Sequence, residues 1–195
     1  ECKRPDLQTA DGGLPQEEAI SQHLRNQKEG EIRSLFAYSQ ILMAVSTNHA
    51  AYGTTATDKK FWATWREEQA SSHEILVQEL VNKPLPAELD AAFYDWRDSP
   101  SWTRRQFPAD ATRLSTEQDR AIVSLLSPER LIAISYQFLV FDGGIKKIAR
   151  YQQYFAVKAT LERVASLNAK GERSGGVIWH TTGSGKSLTM VMLAK

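Results

Sequence analysis

The sequence has almost no cysteine. Cys2 is the single one in 195 residues, so no disulfide can form within the chain. The sequence also lacks a charged-then-apolar leader, and it has no apolar run long enough to cross a membrane, so a cytoplasmic location is the default expectation. With 42% hydrophobic and 24% charged residues, the composition is that of an ordinary soluble globular protein, which excludes the fibrous and disordered classes.

The whole chain has almost no net charge, but each half of it has an excess of one charge sign. The net charge is only +1, yet residues 1–100 carry ten basic and sixteen acidic side chains, net −6, whereas residues 101–195 carry fourteen and seven, net +7. This asymmetry predicts two units with different roles, the basic one suited to face phosphates. The chain begins at Glu1 without an initiator Met and stops at Lys195 inside a predicted helix, so we expect both ends to be cuts in a longer protein.

The first half predicts helices around a pair of strands. The predicted elements are a helix from Pro15 to near Gly30, two strands joined by a turn in residues 34–45 and 50–53, and one or two helices in residues 59–83. Phe61, Trp62 and Trp65 would share one helical face. Aromatic residues at that spacing bury area in a core more often than they stack on bases, so core packing is the favoured interpretation.

The second half predicts mainly helices after a surface connection. Four of the seven prolines lie between residues 84 and 108, which is typical of a connection, and a domain boundary is expected there or just after. The elements expected beyond it are a helix opened by a Ser115–Gln118 capping box and running through Leu126, a helix opened by Ser127-Pro128, a strand end or turn at 138–144, a helix through Lys158 and Val164 that ends near Gly171, a buried strand at 176–179, and a helix from Ser187 to Lys195.

The most informative stretch combines an apolar run, a glycine-rich loop and an apolar helix in residues 175–195. The loop reads Gly183-Ser184-Gly185-Lys186-Ser187, and its flanks match the context that a phosphate loop requires. The glycines let backbone N–H groups converge on a β-phosphate at the positive end of the helix. Lys186 would reach the β- and γ-phosphates, and the Ser187 hydroxyl would ligate Mg²⁺. This pattern predicts an ATP-binding site.

Two neighbouring features refine that prediction. The strict pattern has Gly five residues before Gly185, whereas this chain has His180, which points away from small GTPases and toward the relaxed loops of helicases. A Gln amide can both accept and donate at an adenine edge, so Gln152 or Gln153, about thirty residues upstream, is a candidate base reader. The alternatives are a chance Gly-Lys-Ser turn and a solvated pair of glutamines. His180 is expected to be structural.

Glu1 and Lys3 form a second candidate site. In a strand, residues two apart share a face and lie about 6.6 Å apart along it. A carboxylate there can hold a divalent metal beside a scissile phosphate, while an ammonium can stabilise the developing negative charge. Because Glu-x-Lys is common by chance, a surface strand pair is the competing interpretation.

These pieces, taken in order, resemble the R subunit of type I restriction enzymes, which carries both a nuclease and a DNA translocase. The resemblance covers nearly the whole chain and is densest in residues 1–67 and 127–195. The segments that carry it are ECKRPD, EAISQHLRNQ, LFAYSQILMAV, AAYGTT, KKIARYQQYFAVKA and GGVIWHTTGSGKSLTM.

The resemblance implies an α/β fold in which part of a restriction-endonuclease-like nuclease core is followed by the start of a RecA-like P-loop motor of the superfamily 2 helicase type. Glu1 then matches the metal-binding Glu of an Asp…Glu-x-Lys nuclease, and Lys3 matches its catalytic Lys. Gln22 matches a helix Gln near that site, although Asn26 stands where related nucleases often have Tyr.

The same resemblance implies roles in the motor, with ATP and Mg²⁺ as cofactors. Gln153 best matches the adenine-reading Gln, with Gln152 as the fallback, and Lys186 is the catalytic lysine of the loop. Ser187 would share in binding the metal. The remaining matched loop residues are Thr182, which stands where the family often has Gln, Gly183, Ser184 and Gly185.

The implied organisation is the second part of a nuclease domain at 1–100, a connector at 101–114 and the first part of a motor at 115–195. The implied partners are duplex DNA and the modification and specificity subunits of the same complex. The family's metal-binding Asp precedes its Glu-x-Lys, and its acidic motor motif follows the phosphate loop, so we expect this chain alone to be inactive. The alternatives are an unrelated P-loop ATPase and a non-catalytic nucleic-acid-binding module with a vestigial phosphate loop.

Overall fold

A computed structural model describes residues 1–4, 12–84, 86–89 and 112–195. These residues form helices and small antiparallel sheets, which confirms a mixed α and β composition. In chain order the elements are α1 (Pro15–Asn26), α2 (Arg33–Tyr38), β1 (Leu42–Ser46), β2 (His49–Gly53), a 3-10 turn (Lys59–Phe61), α3 (Ala70–Val81), α4 (Glu117–Leu126), α5 (Pro128–Gln137), β3 (Leu139–Asp142), β4 (Ile145–Ile148), α6 (Tyr151–Ala165) and α7 (Lys186–Ala194).

The first sheet is a hairpin extended by the start of the chain. β1 and β2 pair antiparallel through a tight turn after Ser46, which confirms the predicted pair of strands. On the other edge of β1, Cys2 bridges Val45 in parallel, with the Lys3 N–H donating to the Val45 carbonyl at 2.9 Å. The prediction that the first strand starts at 34 is wrong. Residues 33–38 instead form α2. Of these residues only Phe36 is buried, and a single buried side chain with exposed neighbours is compatible with one face of a short helix.

The predicted aromatic helix face in the first half is also wrong. Only a 3-10 turn forms at Lys59–Phe61, and the chain then runs extended, with Ala63 and Tyr52 exchanging backbone hydrogen bonds of 2.8 and 3.0 Å. These bonds to β2 pair backbone N–H and C=O groups that would be paired within a helix if this segment were helical. Trp65 is 8% exposed, which confirms core packing for this residue, whereas Phe61 is half exposed.

The second half follows the sequence expectations closely. α4 and α5 lie where they were predicted, although the capping box forms one residue later, between Thr116 and Asp119. The segment at 138–144 extends into a complete hairpin of β3 and β4, whose turn glycines Gly143 and Gly144 have φ of 57° and 79°. Positive φ at both central residues matches the twist of a two-residue hairpin.

One core joins residues from both halves of the chain. Its buried members come from β2, the extended segment after the 3-10 turn, and the elements from α4 to α7. They are Tyr52, Trp65, Leu125, Ile134, Phe138, Val140, Ala149, Tyr154, Val157 and Met192. The predicted connection at 84–108 lies almost entirely outside the described residues, and the boundaries at 101–114 stay a prediction.

The predicted buried strand at 176–179 is absent. Residues 174–180 are irregular, and Val177 and Trp179 are 88% and 89% exposed. A strand needs a neighbour to take up its backbone hydrogen bonds, and no strand of the described residues pairs with this segment. α7 nevertheless begins at Lys186, within one residue of its predicted start. In the described part of the chain, no helix is both long and apolar enough to cross a membrane.

Candidate functional site

The structure brings Glu1, Lys3 and Gln22 together at one edge of the first sheet. Lys3 Nζ lies 3.3 Å from Glu1 Oε1 and donates to Gln22 Oε1 at 2.6 Å. Glu1 and Lys3 share a face because both flank Cys2 on the strand that pairs with β1. α1 supplies Gln22, and its buried Ala19 and Ile20 pack against the sheet.

Glu1 is the acidic side chain that this cluster offers to a metal ion. Mg²⁺ is usually held by one or two carboxylates, with water completing its octahedron, so Glu1 fits as one ligand. No group of three or more His, Cys, Asp or Glu able to hold a metal occurs within residues 1–4, 12–84, 86–89 and 112–195.

His23 also lies at this cluster, and the sequence analysis did not single it out. Its Nε2 lies 3.0 Å from the Met43 carbonyl, which requires the ring to carry its hydrogen there, and the ring stacks on Trp62 with centroids 5.5 Å apart. Burial lowers the pKa of His23, so the neutral ring is favoured. Its position directly after Gln22 was the only signal in the sequence.

The phosphate loop has the backbone conformation that its glycines permit. Gly183 and Gly185 have φ of 78° and 83°, in the left-handed region, and α7 follows immediately. Lys186 Nζ donates to the carbonyls of His180 and Thr181, both at 3.1 Å. Two neutral carbonyl groups therefore hold the Lys186 ammonium over the loop. An anion bound at the N-terminus of α7 would attract the ammonium more strongly than these carbonyl groups do. The Thr182 and Ser187 side chains are exposed at the same loop.

Gln153, rather than Gln152, contacts the phosphate loop. Gln153 is 2% exposed; its Oε1 accepts from the Arg150 N–H at 2.9 Å and its Nε2 donates to the Gly185 carbonyl at 3.0 Å and, at 3.4 Å, to that of Ser184. Gln152 is exposed. A Cβ on Gly185 would come within 2.5 Å of Gln153 Nε2, so the glycine is needed for this close approach.

A cavity of about 370 Å³ opens beside the loop. Its lining includes Phe61, Lys147, Arg150, Gln153 and the loop residues 183–185. The volume and the mixture of an aromatic ring with basic and amide groups fit a nucleotide base and ribose next to a phosphate-binding loop.

Comparison with known proteins finds matches that include the residues of the phosphate loop. The SWI2/SNF2 ATPase family model matches residues 152–195, a range that holds both glutamines and the phosphate loop. A protein of Methanocaldococcus jannaschii described as the type I restriction enzyme MjaIXP endonuclease subunit is 26% identical over 99% of the chain and 18% of its own length. The HindI endonuclease subunit of Haemophilus influenzae is 30% identical over 59% of the chain and 12% of its length. No solved structure matches the chain.

The chain resembles the endonuclease subunits of type I restriction enzymes. A further subunit of this kind from Methanocaldococcus jannaschii, MjaVIIP, is 45% identical over 37% of the chain and 8% of its own length. The resemblance drawn from the sequence motifs is therefore confirmed. The chain spans less than a fifth of the length of these relatives.

Proposed function

We propose that this chain forms part of a type I restriction endonuclease subunit that cleaves duplex DNA with Mg²⁺ and translocates it with ATP. The observation that carries the proposal is the convergence of Glu1, Lys3 and Gln22, since three residues implied by the resemblance meet although Gln22 is nineteen positions from Lys3. The proposed nuclease part is residues 1–100, and the proposed motor part, of RecA-like fold, begins at 115.

In the nuclease part, each side chain of the cluster has a distinct task. The Glu1 carboxylate would hold the metal ion, which would supply Lewis-acid activation of water and of the scissile phosphate. The Lys3 ammonium stabilises negative charge that develops on the phosphate oxygens. Gln22 accepts a hydrogen bond from Lys3 and so restricts the ammonium to the side of the strand that carries Glu1.

In the motor part, the backbone N–H groups of residues 183–186 bind the β-phosphate of ATP. Lys186, which donates to the carbonyls of His180 and Thr181, would contact the β- and γ-phosphates of bound ATP, and the Ser187 hydroxyl would ligate the Mg²⁺ ion. Gln153 holds the loop through Gly185 and lines the cavity that we propose for the adenine.

The implied setting is a cytoplasmic complex with modification and specificity subunits on duplex DNA. For the 195-residue chain alone we expect neither cleavage nor ATP turnover. Cleavage is not expected because Glu1 is the one carboxylate that the described residues place beside Lys3.

The test uses the complete parent subunit, assembled in its complex. Lys3→Ala is expected to abolish cleavage and leave ATP hydrolysis intact, whereas Lys186→Ala is expected to abolish ATP hydrolysis, because it removes the lysine proposed to contact the β- and γ-phosphates. Lys170→Ala, at an exposed turn, is the matched control. Cleavage that survives Lys3→Ala would leave an unrelated P-loop ATPase as the better description. Salt-dependent DNA binding with no ATPase sensitive to Lys186→Ala would favour a non-catalytic nucleic-acid-binding module.

A further inference from the structure

α1 presents two consecutive residues to the first sheet. Gln22 accepts a hydrogen bond from Lys3, and His23 bonds to the Met43 carbonyl of β1. Consecutive helical residues point about 100° apart around the helix axis. The bonds of Gln22 and His23 can therefore form together only within a narrow range of rotation of α1 about its axis. A rotation that breaks the His23 bond also moves Gln22 relative to Lys3.

Four groups contact the His23 ring, and one of them is the Glu1 amino nitrogen, 3.5 Å from Nε2. Nε2 donates to Met43 O at 3.0 Å, one face stacks on Trp62 with an interplanar angle of 26°, and the ring meets Phe36 edge-on at 6.0 Å. Trp62 is itself fixed, because its Nε1 donates to the Thr57 carbonyl at 3.1 Å and a Cβ on Gly53 would lie 3.1 Å from its ring. The imidazole is thus a directional link between α1 and a rigid surface.

The remaining contacts of α1 with the sheet are less directional. Its buried apolar residues there are Ala19 and Ile20, which pack on Ala44. Small aliphatic contacts are nonspecific in direction and tolerate rotation and sliding that a hydrogen bond does not. At the end of α1, Gln27 Oε1 accepts from the Ala56 N–H at 2.7 Å, outside the sheet. The bond from His23 to Met43 is the directional contact that α1 makes with the sheet directly beside Gln22.

We propose that His23 is a positioning residue of the nuclease site: its contacts with Met43 and Trp62 set the rotation of α1 that brings Gln22 to Lys3. The inference rests on the proposed nuclease function of Glu1 and Lys3. His23 itself touches neither DNA nor the reacting atoms and acts through Gln22.

The experiment is a double-mutant cycle in the complete parent subunit, assembled in its complex on a DNA substrate. His23→Phe keeps a flat ring against Trp62 but removes the donor to Met43, whereas His23→Gln keeps a donor. His23→Phe is expected to lower the cleavage rate at saturating DNA by about tenfold, with KM for DNA and ATP hydrolysis unchanged. His23→Gln should recover part of that loss. In a Gln22→Ala background, His23→Phe should have no further effect, because the two residues act as one unit.

Several results would overturn the role of His23. One is a cleavage rate for His23→Phe within twofold of wild type. Another is an equal fall in cleavage rate for His23→Phe and His23→Gln. A third is a double variant of Gln22→Ala and His23→Phe whose fall in cleavage rate is the product of the two single falls. A parallel fall in ATP hydrolysis would show a purely structural role and would also overturn it. Ser21→Ala, which removes an exposed hydroxyl bonded only to its own helix, is the control. Lys3→Ala distinguishes failure of the proposed nuclease site from failure of the His23 proposal. If Lys3→Ala still cleaves DNA, the nuclease site itself is rejected. If Lys3→Ala abolishes cleavage while His23→Phe cleaves normally, only the positioning role of His23 is rejected.

Discussion

Gln153 ties the phosphate loop to the start of α6 through both atoms of its buried amide. Replacing it with Ala removes the acceptor of the Arg150 N–H and the side-chain donor to the Gly185 carbonyl, which still accepts from the Thr189 N–H at 3.1 Å. We expect Gln153→Ala to raise the Kd for ATP about tenfold, because the loop loses its anchor. Titration of the parent subunit with a fluorescent ATP analogue measures this change.

Gln152→Ala is the matched control for that experiment, because its side chain is exposed and one position away. Its Kd for ATP should stay within twofold of wild type. A larger effect at Gln152 than at Gln153 would contradict the role assigned to Gln153 and favour Gln152 as the residue that reads the base.

Single residues show where sequence reasoning was sufficient and where it was not. The loop glycines were predictable, because only a few residue orders allow consecutive backbone N–H groups to converge. The residues alone left the choice between Gln152 and Gln153 open, since burial depends on which face α6 turns to the core, and it was the resemblance that favoured Gln153. His23 carried no signal of its own, because its partners Met43 and Trp62 come from segments twenty and thirty-nine positions away.

α4 begins with a capping box whose carboxylate also forms an ion pair. The Thr116 side chain accepts from the Asp119 N–H, the Asp119 carboxylate accepts from the Thr116 N–H, and Arg113 pairs with Asp119 at 2.7 Å. The hydrogen bond from Arg113, helped by those from Thr116, lowers the pKa of Asp119 to about 2. The carboxylate also suits the positive end of the helix.

This arrangement predicts an acid-sensitive contribution to stability. A carboxyl whose pKa is depressed in the folded state stabilises it above the unfolded pKa, about 3.9, and the contribution is lost as pH falls toward the folded value of about 2. We expect Asp119→Asn to lower the free energy of unfolding of the 195-residue chain by about 1 kcal/mol above pH 5. Denaturant titrations at several pH values measure it. A difference that persists unchanged at pH 2 would contradict the ionic origin.

At the level of elements, helices with strong start signals were predicted well and isolated strands poorly. Pro15 and Ser127-Pro128 place helix starts because proline needs no hydrogen-bond acceptor in a first turn. Residues 176–179 have an apolar strand composition, but strand formation depends on a pairing partner, which local sequence does not supply. The same dependence explains residues 62–65, where pairing with β2 overrides a helical spacing of aromatic residues.

Across the whole molecule, the acidic and basic halves meet through specific contacts as well as apolar packing. Arg130 of α5 pairs with Glu67 and lies 5.1 Å from the Trp65 ring, and Arg120 of α4 pairs with Glu74 of α3 at 2.6 Å. The charge asymmetry therefore includes complementary side chains at the junction. From the sequence, the charge asymmetry predicted only that there are two units. The ion pairs between them could not be predicted, because pairing between residues more than forty positions apart has no local signature.

Tyr52 makes the most buried of these links. Its hydroxyl donates to the Ala149 carbonyl at 2.8 Å, ninety-seven positions along the chain, and burial raises the pKa of Tyr52 so that the hydroxyl keeps its proton. Ala149 directly precedes Arg150, at the N-terminus of α6, so the bond joins β2 to the helix that carries Gln153. The halves that share this bond and one core should unfold as one cooperative unit.

We therefore expect Tyr52→Phe to lower the free energy of unfolding of the 195-residue chain by about 1–3 kcal/mol, because the Ala149 carbonyl is left buried and unpaired. Native-state hydrogen exchange should show the same loss of protection at Ala63, whose N–H donates to the Tyr52 carbonyl of β2, and at Val157 of α6, since both pack in the shared core. Tyr38→Phe, at a side chain that is 86% exposed, should change neither. A loss confined to the first half would mean that the halves unfold separately, and the common core would then not govern stability.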